Sequence, residues 1–584
     1  MILKTVWSVV SNAPWLKKVG WLGTAIPTVF FAAALRAEHV LPEPQFVPGS
    51  GIEMKLTNFY EDIPPSGFLP LRVEVKNDSN ATRTWQLTTR QSQSNTGSMQ
   101  SVFALRAEAR SARTFDLLVP LVTEPVSGSR YSNIQISITG HGTARTESRE
   151  NSRGSGSTPT VFLGMGKVLA VKNWGPLREQ LDKKHSLSLE GTALNPELLP
   201  ADWRALAGFG IIILADSEWR IIPAAQRAAL QDWVIQGGRL ILCHSGFTPA
   251  ADLPAAEKSG CGSIELWSLG DDFSEKVKTT LLASPVGESL KSYTWQWPLA
   301  RDVGRPEPPQ TLIMVFVLLF ALVIGPLNFL VFAPAGNRHR LFWTTPLISL
   351  ASSALMGLFI LFSEGIGGSG QRFAVQLSLP AFNKSVLWQE QASRTGVLTS
   401  GAFVLAEPAL LVPAGLHATN SFRPNSDRGK SYSLDGATWS GDWFRSRTTQ
   451  AQIFTAVSAA RTRLDVSVSP DGKPVAVSSF ENELKELWCF DDTGEPWRAA
   501  NVKPGEKRTL ERAALADFTA WLNQILEPAG GVTRERAEKF YAKDGKGKFF
   551  ASMENPALLS SLPSIRWKDK DSLLLGLPVV PANH

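Results

Sequence analysis

Two uncharged apolar runs, Leu312–Phe332 (LIMVFVLLFALVIGPLNFLVF) and Leu341–Ser363 (LFWTTPLISLASSALMGLFILFS), are separated only by Ala333–Arg340 (APAGNRHR). About 20 helical residues cross the ~30 Å hydrocarbon layer of a bilayer. Each run is long enough, and so short a connection forces them into an antiparallel helical hairpin. The segment 311–363 therefore reads as a transmembrane hairpin (312–332 and 341–363) in an otherwise polar chain. Everything before it and after it is expected on one side of the membrane.

Orientation follows the excess of Lys and Arg in short cytoplasmic loops. The connection carries Arg338, His339 and Arg340 and no acid, whereas the outer flanks mix Arg301, Asp302, Arg305 and Glu307 before it with Glu364 and Arg372 after it. The loop is thus expected in the cytoplasm and both flanks outside. At the other end of the chain, Lys4, Lys17 and Lys18 precede an apolar stretch from Val19 to Leu35. This is a basic segment followed by one that enters the membrane, and it gives the same orientation. Residues 1–45 read as a cytoplasmic tail and a signal anchor, spanning about 19–36. Ala32, Ala33 and Ala34 also offer a small-residue cleavage site, so an uncleaved anchor and a removed signal both remain open. The expected location is the inner (cytoplasmic) membrane, multi-pass, with a cytoplasmic N-terminus and large domains in the periplasm or outside the cell.

At 584 residues the chain has room for three or four domains. Its 59 basic and 53 acidic residues are evenly spread, so nucleic acid is not an expected partner. Three cysteines, Cys243, Cys261 and Cys489, provide no disulfide framework. Pairing of Cys243 with Cys261 stays open at this stage.

The outward parts divide by periodicity. Residues 46–150 read as a β-sandwich: Leu69, Leu71, Val73 and Val75 alternate with polar residues, as do Trp85 with Leu87 and Phe115, Leu117 with Val119. Ser/Gly/Arg-rich stretches at 91–99 and 142–159 read as loops or a linker. Residues 160–300 read as α/β with a flavodoxin-like parallel sheet. Strands are expected at Val168–Val171, Ile211–Leu214 and Arg239–Cys243. Helices are expected over Pro176–Lys184 and from Pro223 to the Gly237-Gly238 stop. Gly164-Met-Gly166 reads as a turn before its strand. Residues 370–584 read as a second β-sandwich with a helix and a tail. Leu464, Val466 and Val468 alternate up to an Asp471-Gly472 hairpin turn, and Asp492–Gly494 is another turn. A helix is expected over Leu510–Leu526. The basic tail beyond 530 reads as irregular until strands at Lys548–Met553 and Ser572–Leu577.

The segment LPADWRALAGFGIIILAD, followed by WRIIPAAQRAALQDWVIQGGRLILCHSG, resembles the class I glutamine-amidotransferase-like domain of large bacterial membrane proteins. Those proteins carry an outer β-sandwich, this domain, and a membrane hairpin with a Gly-Pro-Leu-Asn sequence, here Ile324–Phe329 (IGPLNF). The stretch TWSGDWFRSR, residues 438–447, and the residues after Arg461 resemble the group's second sandwich. Some members sit in MoxR-type ATPase and Bat-like gene clusters. The resemblance implies an envelope protein of that architecture and no particular activity.

Cys243, with His244 beside it, is the candidate nucleophile at the carboxyl end of a parallel strand, where α/β sites collect. Adjacent strand residues face opposite ways, so the two form a catalytic pair only if the strand has already ended. Set against the amidotransferase-like group, the Gly-x-Cys-x-Gly elbow is missing, with Ile241 and Ser245 in the glycine places, and no His-x-Glu pair follows. Asp216 and Glu218 share that edge as candidates for a binding crevice. Their spacing matches no standard metal site, and Asp216 or Ser217 is expected to cap the next helix. No metal or cofactor is expected. Within the hairpin, Gly325 and Pro326 mark a kink, and Asn328 is placed to hydrogen-bond Thr344 or Thr345 at matching depth.

These readings converge on a non-catalytic, membrane-anchored scaffold, sensor or accessory subunit. Its expected partners are the lipid bilayer and membrane or periplasmic proteins. The alternatives are a thiol-dependent amidohydrolase using Cys243 and an accessory component of an export transporter.

Overall fold

The structure is a computed structural model. It describes residues 39–40 and 45–579, apart from 61, 65, 94–96, 122–129, 146, 155–160, 186–189, 245–256, 271–272, 284–292, 305–309, 417–429, 542–544 and 555–557. The N-terminal apolar segment with Lys17 and Lys18 lies outside the described residues.

The chain is rich in β-structure, built as several sheets, one of them largely parallel, and joined to two long apolar helices. The parallel sheet has the order Gly191–Leu194, Leu163–Gly166, Ile211–Ala215, Arg239–His244, Gly262–Ser268, with Glu257–Ser259 antiparallel at one edge. Its central strands are apolar on both faces, as expected when helices or other layers cover a sheet on both sides. Helix Lys167–His185 follows the first of these strands in the chain. This corrects the expected strand at Val168–Val171. Val168 and Val171 are exposed, while Leu169, Ala170 and Leu177 are buried, which is helical spacing. It also corrects the reading of Gly164-Met-Gly166 as a turn. A Cβ on Gly164 would lie 2.7 Å from the Leu194 side chain, so a central strand uses glycine here to let its neighbours close in.

Before this layer, a four-stranded sheet (His39–Val40, Ile52–Asn58, Gly67–Asn77, Ser111–Leu121) and a larger sheet enclose one core containing Leu56, Leu71, Val73, Trp85, Leu87, Leu105 and Ile136. The larger sheet holds Glu147–Gly154, Arg130–Gly140, Arg83–Gln93 and Gly97–Ala107. The polar stretches read as loops are thus largely strand, because edge and outward positions tolerate Ser, Arg and Gln. The same sheet is completed by Ser431–Asp435, parallel to Gly97–Ala107, then Thr438–Gly441 and Phe403–Val404. The TWSG segment, expected in the second sandwich, therefore pairs within the first.

The C-terminal half forms a ten-stranded mixed sheet centred on Gly368–Leu379, Lys384–Thr395 and Thr449–Ala459, with a small three-stranded sheet beside it. Helix Leu515–Ile525 buries Phe518 and Leu522 against it. Helix Gly531–Tyr541 replaces the expected irregular tail. Its run of Arg, Glu and Lys hides the periodicity, yet Thr533, Ala537 and Phe540 are buried.

The first apolar helix runs Gln310–Leu322 and continues as a π-helix over Val323–Phe332. The second runs Leu341–Glu364 and packs antiparallel to it. Pro326 has no N–H to give, and the wider winding is visible in the Ala333 amide, which bonds the Asn328 carbonyl five residues back. Most of the hairpin's large side chains have no protein cover: Phe342 is 78% exposed and Leu330 68%. Both feet are tied to the ten-stranded sheet. Helix Pro298–Val303 packs on Gly368–Leu379 and Lys384–Thr395, and the second apolar helix enters Gly368–Leu379 through Gly365 and Gly367, both at positive φ.

Candidate functional site

The strand order of the parallel sheet reverses between Leu163–Gly166 and Ile211–Ala215, and ligands of such sheets bind at the carboxyl ends beside that reversal. Helix Lys167–His185 starts there with its amides directed to the crevice, as an anion site requires. The position is filled from within the chain. Glu218, only 2% exposed, accepts hydrogen bonds from the Val168 amide at 2.8 Å and from the Ala215 amide at 2.8 Å. A Cβ on Gly166 would fall 1.9 Å from its Oε2, so the carboxylate occupies the space a glycine-lined phosphate cradle leaves open.

Glu218 stands in the third residue of helix Asp216–Ile221 and bonds the amide of the residue before that helix. It is the cap, in place of Asp216 or Ser217. Asp216 instead accepts from the Ser217 amide at 2.8 Å. Burial pushes the Glu218 carboxyl up, and its two backbone donors offset this in part.

Cys243 pairs across the sheet with Ala215 and is fully buried. Burial, reinforced by the charges of Glu218 and Asp216, pushes its thiol up to about 12. A nucleophile must be present as thiolate, and this one is protonated at neutral pH. His244 is still within the strand Arg239–His244, so the two side chains leave on opposite faces. The structure brings Cys243, Asp216 and Glu218 to one edge, while His244 is turned away from it. All three cysteines are free thiols; Cys261 donates to the Arg536 carbonyl at 3.4 Å. Among the described residues no three His, Cys, Asp or Glu side chains form a metal-binding group.

In the hairpin, Asn328 is fully buried and donates from Nδ2 to Thr345 Oγ1 at 3.0 Å. The Thr344 hydroxyl has no hydrogen-bond partner among the described residues. Gly325 and Pro326 lie in the π-helical turn. Arg338, in the connection, stacks over the Phe329 ring at 5.1 Å, and Arg340 is exposed.

A buried carboxylate lies in the C-terminal half, away from this edge. Glu390, in strand Lys384–Thr395, accepts from Tyr293 Oη at 2.5 Å and from the Gly530 amide at 2.6 Å, at the start of helix Gly531–Tyr541. Burial raises its carboxyl. The only signal is the run Gln389-Glu390-Gln391 inside a strand, where strict alternation predicts polar residues on one face alone.

No known protein-family profile matches the chain, and no curated protein matches it. Among solved structures, the yeast delta-COP-I mu-homology domain complexed with Dsl1 WxWxV peptide aligns over 37% of this chain and 98% of its own, at 10% identity and TM-score 0.18. Bacteroides uniformis beta-glucuronidase 2 aligns over 36% of this chain and 34% of its own, at 10% identity and TM-score 0.15. Amycolatopsis orientalis exo-chitosanase CsxA aligns over 36% of this chain and 22% of its own, at 14% identity and TM-score 0.12. The chain thus spans about a third of the glucuronidase and less than a quarter of the chitosanase. Similarity at this level carries neither fold nor activity to the present chain.

Proposed function

We propose that this protein is a non-catalytic, membrane-anchored envelope protein, a scaffold, sensor or accessory subunit whose β-rich domains stand outside the cytoplasmic membrane. The observation that carries the reading is the uncovered apolar hairpin rooted at both feet in one polar body. Apolar surface of that extent on a soluble chain demands either a bilayer or a partner. In this reading the parallel-sheet domain is a degenerate member of the amidotransferase-like group. The thiol of Cys243, held protonated by burial, and the crevice filled by Glu218 speak against turnover at this edge. The cytoplasm sees little more than Ala333–Arg340, so a signal would pass inward through movement of the hairpin or through a membrane partner.

The test is chemical crosslinking in intact cells followed by purification in mild detergent, comparing the full chain with Asn328→Leu. Specific, stoichiometric capture of a membrane or envelope protein by the full chain supports the reading. Recovery of the full chain alone under every crosslinking and detergent condition overturns the scaffold and accessory roles.

A further inference from the structure

The tip of the apolar hairpin carries positive charge that nothing else in the chain balances. Arg338, His339 and Arg340 form one helical turn between the two apolar helices, and all three side chains are exposed. Between Glu307 and Glu364 the chain has no Asp or Glu. Among the described residues the Arg338 guanidinium packs over the Phe329 ring at 5.1 Å, and no carboxylate pairs with Arg338 or Arg340. The 20-residue span Ile313–Phe332 holds the tip about 30 Å from the polar body. That is several Debye lengths at physiological salt, so acids of the body do not neutralise it.

The residues that follow are apolar and equally uncovered. Phe342 is 78% exposed and Trp343 77%, their rings edge to face at 6.0 Å between centres. Exposed aromatic rings at the end of an apolar helix suit the boundary between hydrocarbon and headgroups. The connection itself, Ala333–Arg340, leaves one span and enters the next within eight residues. The headgroup layer of one leaflet is roughly 5–8 Å deep. So short a loop keeps both guanidiniums in or beside that layer, where the dense acidic groups are lipid phosphates. A phosphate accepts two parallel hydrogen bonds from a guanidinium. Phosphatidylcholine neutralises its phosphate with its own ammonium, whereas an anionic phospholipid leaves that charge for the protein.

We propose that the hairpin tip binds anionic phospholipid, with Arg338 and Arg340 on the headgroup phosphate and Phe342 and Trp343 against the upper acyl chains. This rests on the membrane reading above and names the lipid class the tip selects. Each Arg near an anionic surface contributes about fivefold in affinity, so two give roughly 25-fold. A bound headgroup would anchor the hairpin at the end opposite its two feet.

The experiment reconstitutes the purified full chain into vesicles of phosphatidylcholine alone and of equal parts phosphatidylcholine and phosphatidylglycerol. Flotation reports insertion. Extraction in mild detergent and native mass spectrometry then count the lipids retained. The two leaflets of such vesicles have the same composition, so the orientation of the inserted chain does not affect the count. The expected result is insertion into both vesicles, with phosphatidylglycerol retained at least about fivefold over phosphatidylcholine. Arg338→Gln/Arg340→Gln should lower that ratio at least about threefold; every other basic residue is unchanged, so the difference belongs to the tip. Circular dichroism checks folding, and Arg340→Gln alone, at an exposed side chain, decides if the double variant is misfolded. Equal retention of the two lipids by an inserted parent, or a smaller fall in the folded variant, would overturn the proposal and leave the membrane reading standing. Failure to insert into either vesicle would overturn both.

Discussion

Asn328 and Thr345, 17 residues apart in the chain, are joined across the hairpin by a 3.0 Å hydrogen bond. Asn328 is the most strongly polar side chain of the first apolar run and lies in its π-helical turn, one residue after Leu327 and two after Pro326. Hydrogen bonds of this kind between membrane helices contribute about 0.6–2 kcal/mol. In a double-mutant cycle, Asn328→Leu and Thr345→Val should show a coupling of about that size in the thermal stability of the full chain in detergent. Strictly additive effects would mean that the bond contributes nothing.

Gly166 and Glu218 should behave as a unit. Gly166→Ala drives a methyl into a carboxylate held by two amides, and Glu218→Ala leaves those amides buried and unpaired. Each single change should destabilise by about 1–3 kcal/mol or more. The double variant should be markedly less destabilised than the sum, because the clash is gone once the carboxylate is gone. Denaturant titration followed by tryptophan fluorescence gives the comparison, and a sum equal to its parts would place Glu218 elsewhere.

Cys243 should be inert in the folded protein. With its thiol pushed up to about 12, iodoacetamide at pH 8 should modify it only after denaturation. Cys243→Ala should also leave any cellular phenotype unchanged, against the requirement of a thiol-dependent amidohydrolase. Mass spectrometry of the Cys243 peptide distinguishes rapid native-state alkylation, which would contradict the account, from modification after unfolding.

Asp491 should stabilise the fold at neutral pH and lose that contribution in acid. Partial desolvation raises its carboxyl, but hydrogen bonds from the Thr493 hydroxyl, Trp497 Nε1 and the Glu495 and Thr493 amides prevail and hold it at about 2. An acid lowered in the folded state stabilises at pH values above its unfolded value of about 3.9, and that contribution is lost as pH falls through about 2. Asp491→Asn should therefore lower the unfolding midpoint at neutral pH, with a loss of about 1 kcal/mol, and the gap should close toward pH 2. A gap that widens toward low pH would reverse the sign.

The legible parts of this chain are those where one physical pattern dominates. Continuous apolarity exposes the hairpin, alternation exposes Gly67–Asn77, and the apolar stripe of Ala229, Leu230, Trp233 and Val234 exposes helix Ala224–Ile235. Asp471-Gly472 gives a turn between paired strands, with Gly472 at φ +75°. Long-range pairing has no such local signature. Nothing near Ser431–Gly441 announces that it adds to a sheet begun more than 300 residues earlier. The Leu163–Gly166 strand is hidden because its glycines serve close packing, and helix Gly531–Tyr541 because a distant carboxylate, Glu390, meets its start. At the candidate site the sequence places Cys243, Asp216 and Glu218 on one edge, but only the structure reveals Glu218 as the occupant of the crevice.

The central claim, a hairpin that crosses a membrane with both flanks on the same outer face, is tested most directly by cysteine accessibility. In a Cys261→Ser background, where the remaining thiols are buried, cysteines are introduced one at a time for exposed Thr114, Ala335 and Thr399. Intact spheroplasts are then treated with a membrane-impermeant maleimide. The account predicts equal labelling of the Thr114 and Thr399 variants in intact cells, and labelling of the Ala335 variant only after permeabilisation. Labelling of the Ala335 variant in intact cells, or opposite behaviour of the Thr114 and Thr399 variants, would contradict it.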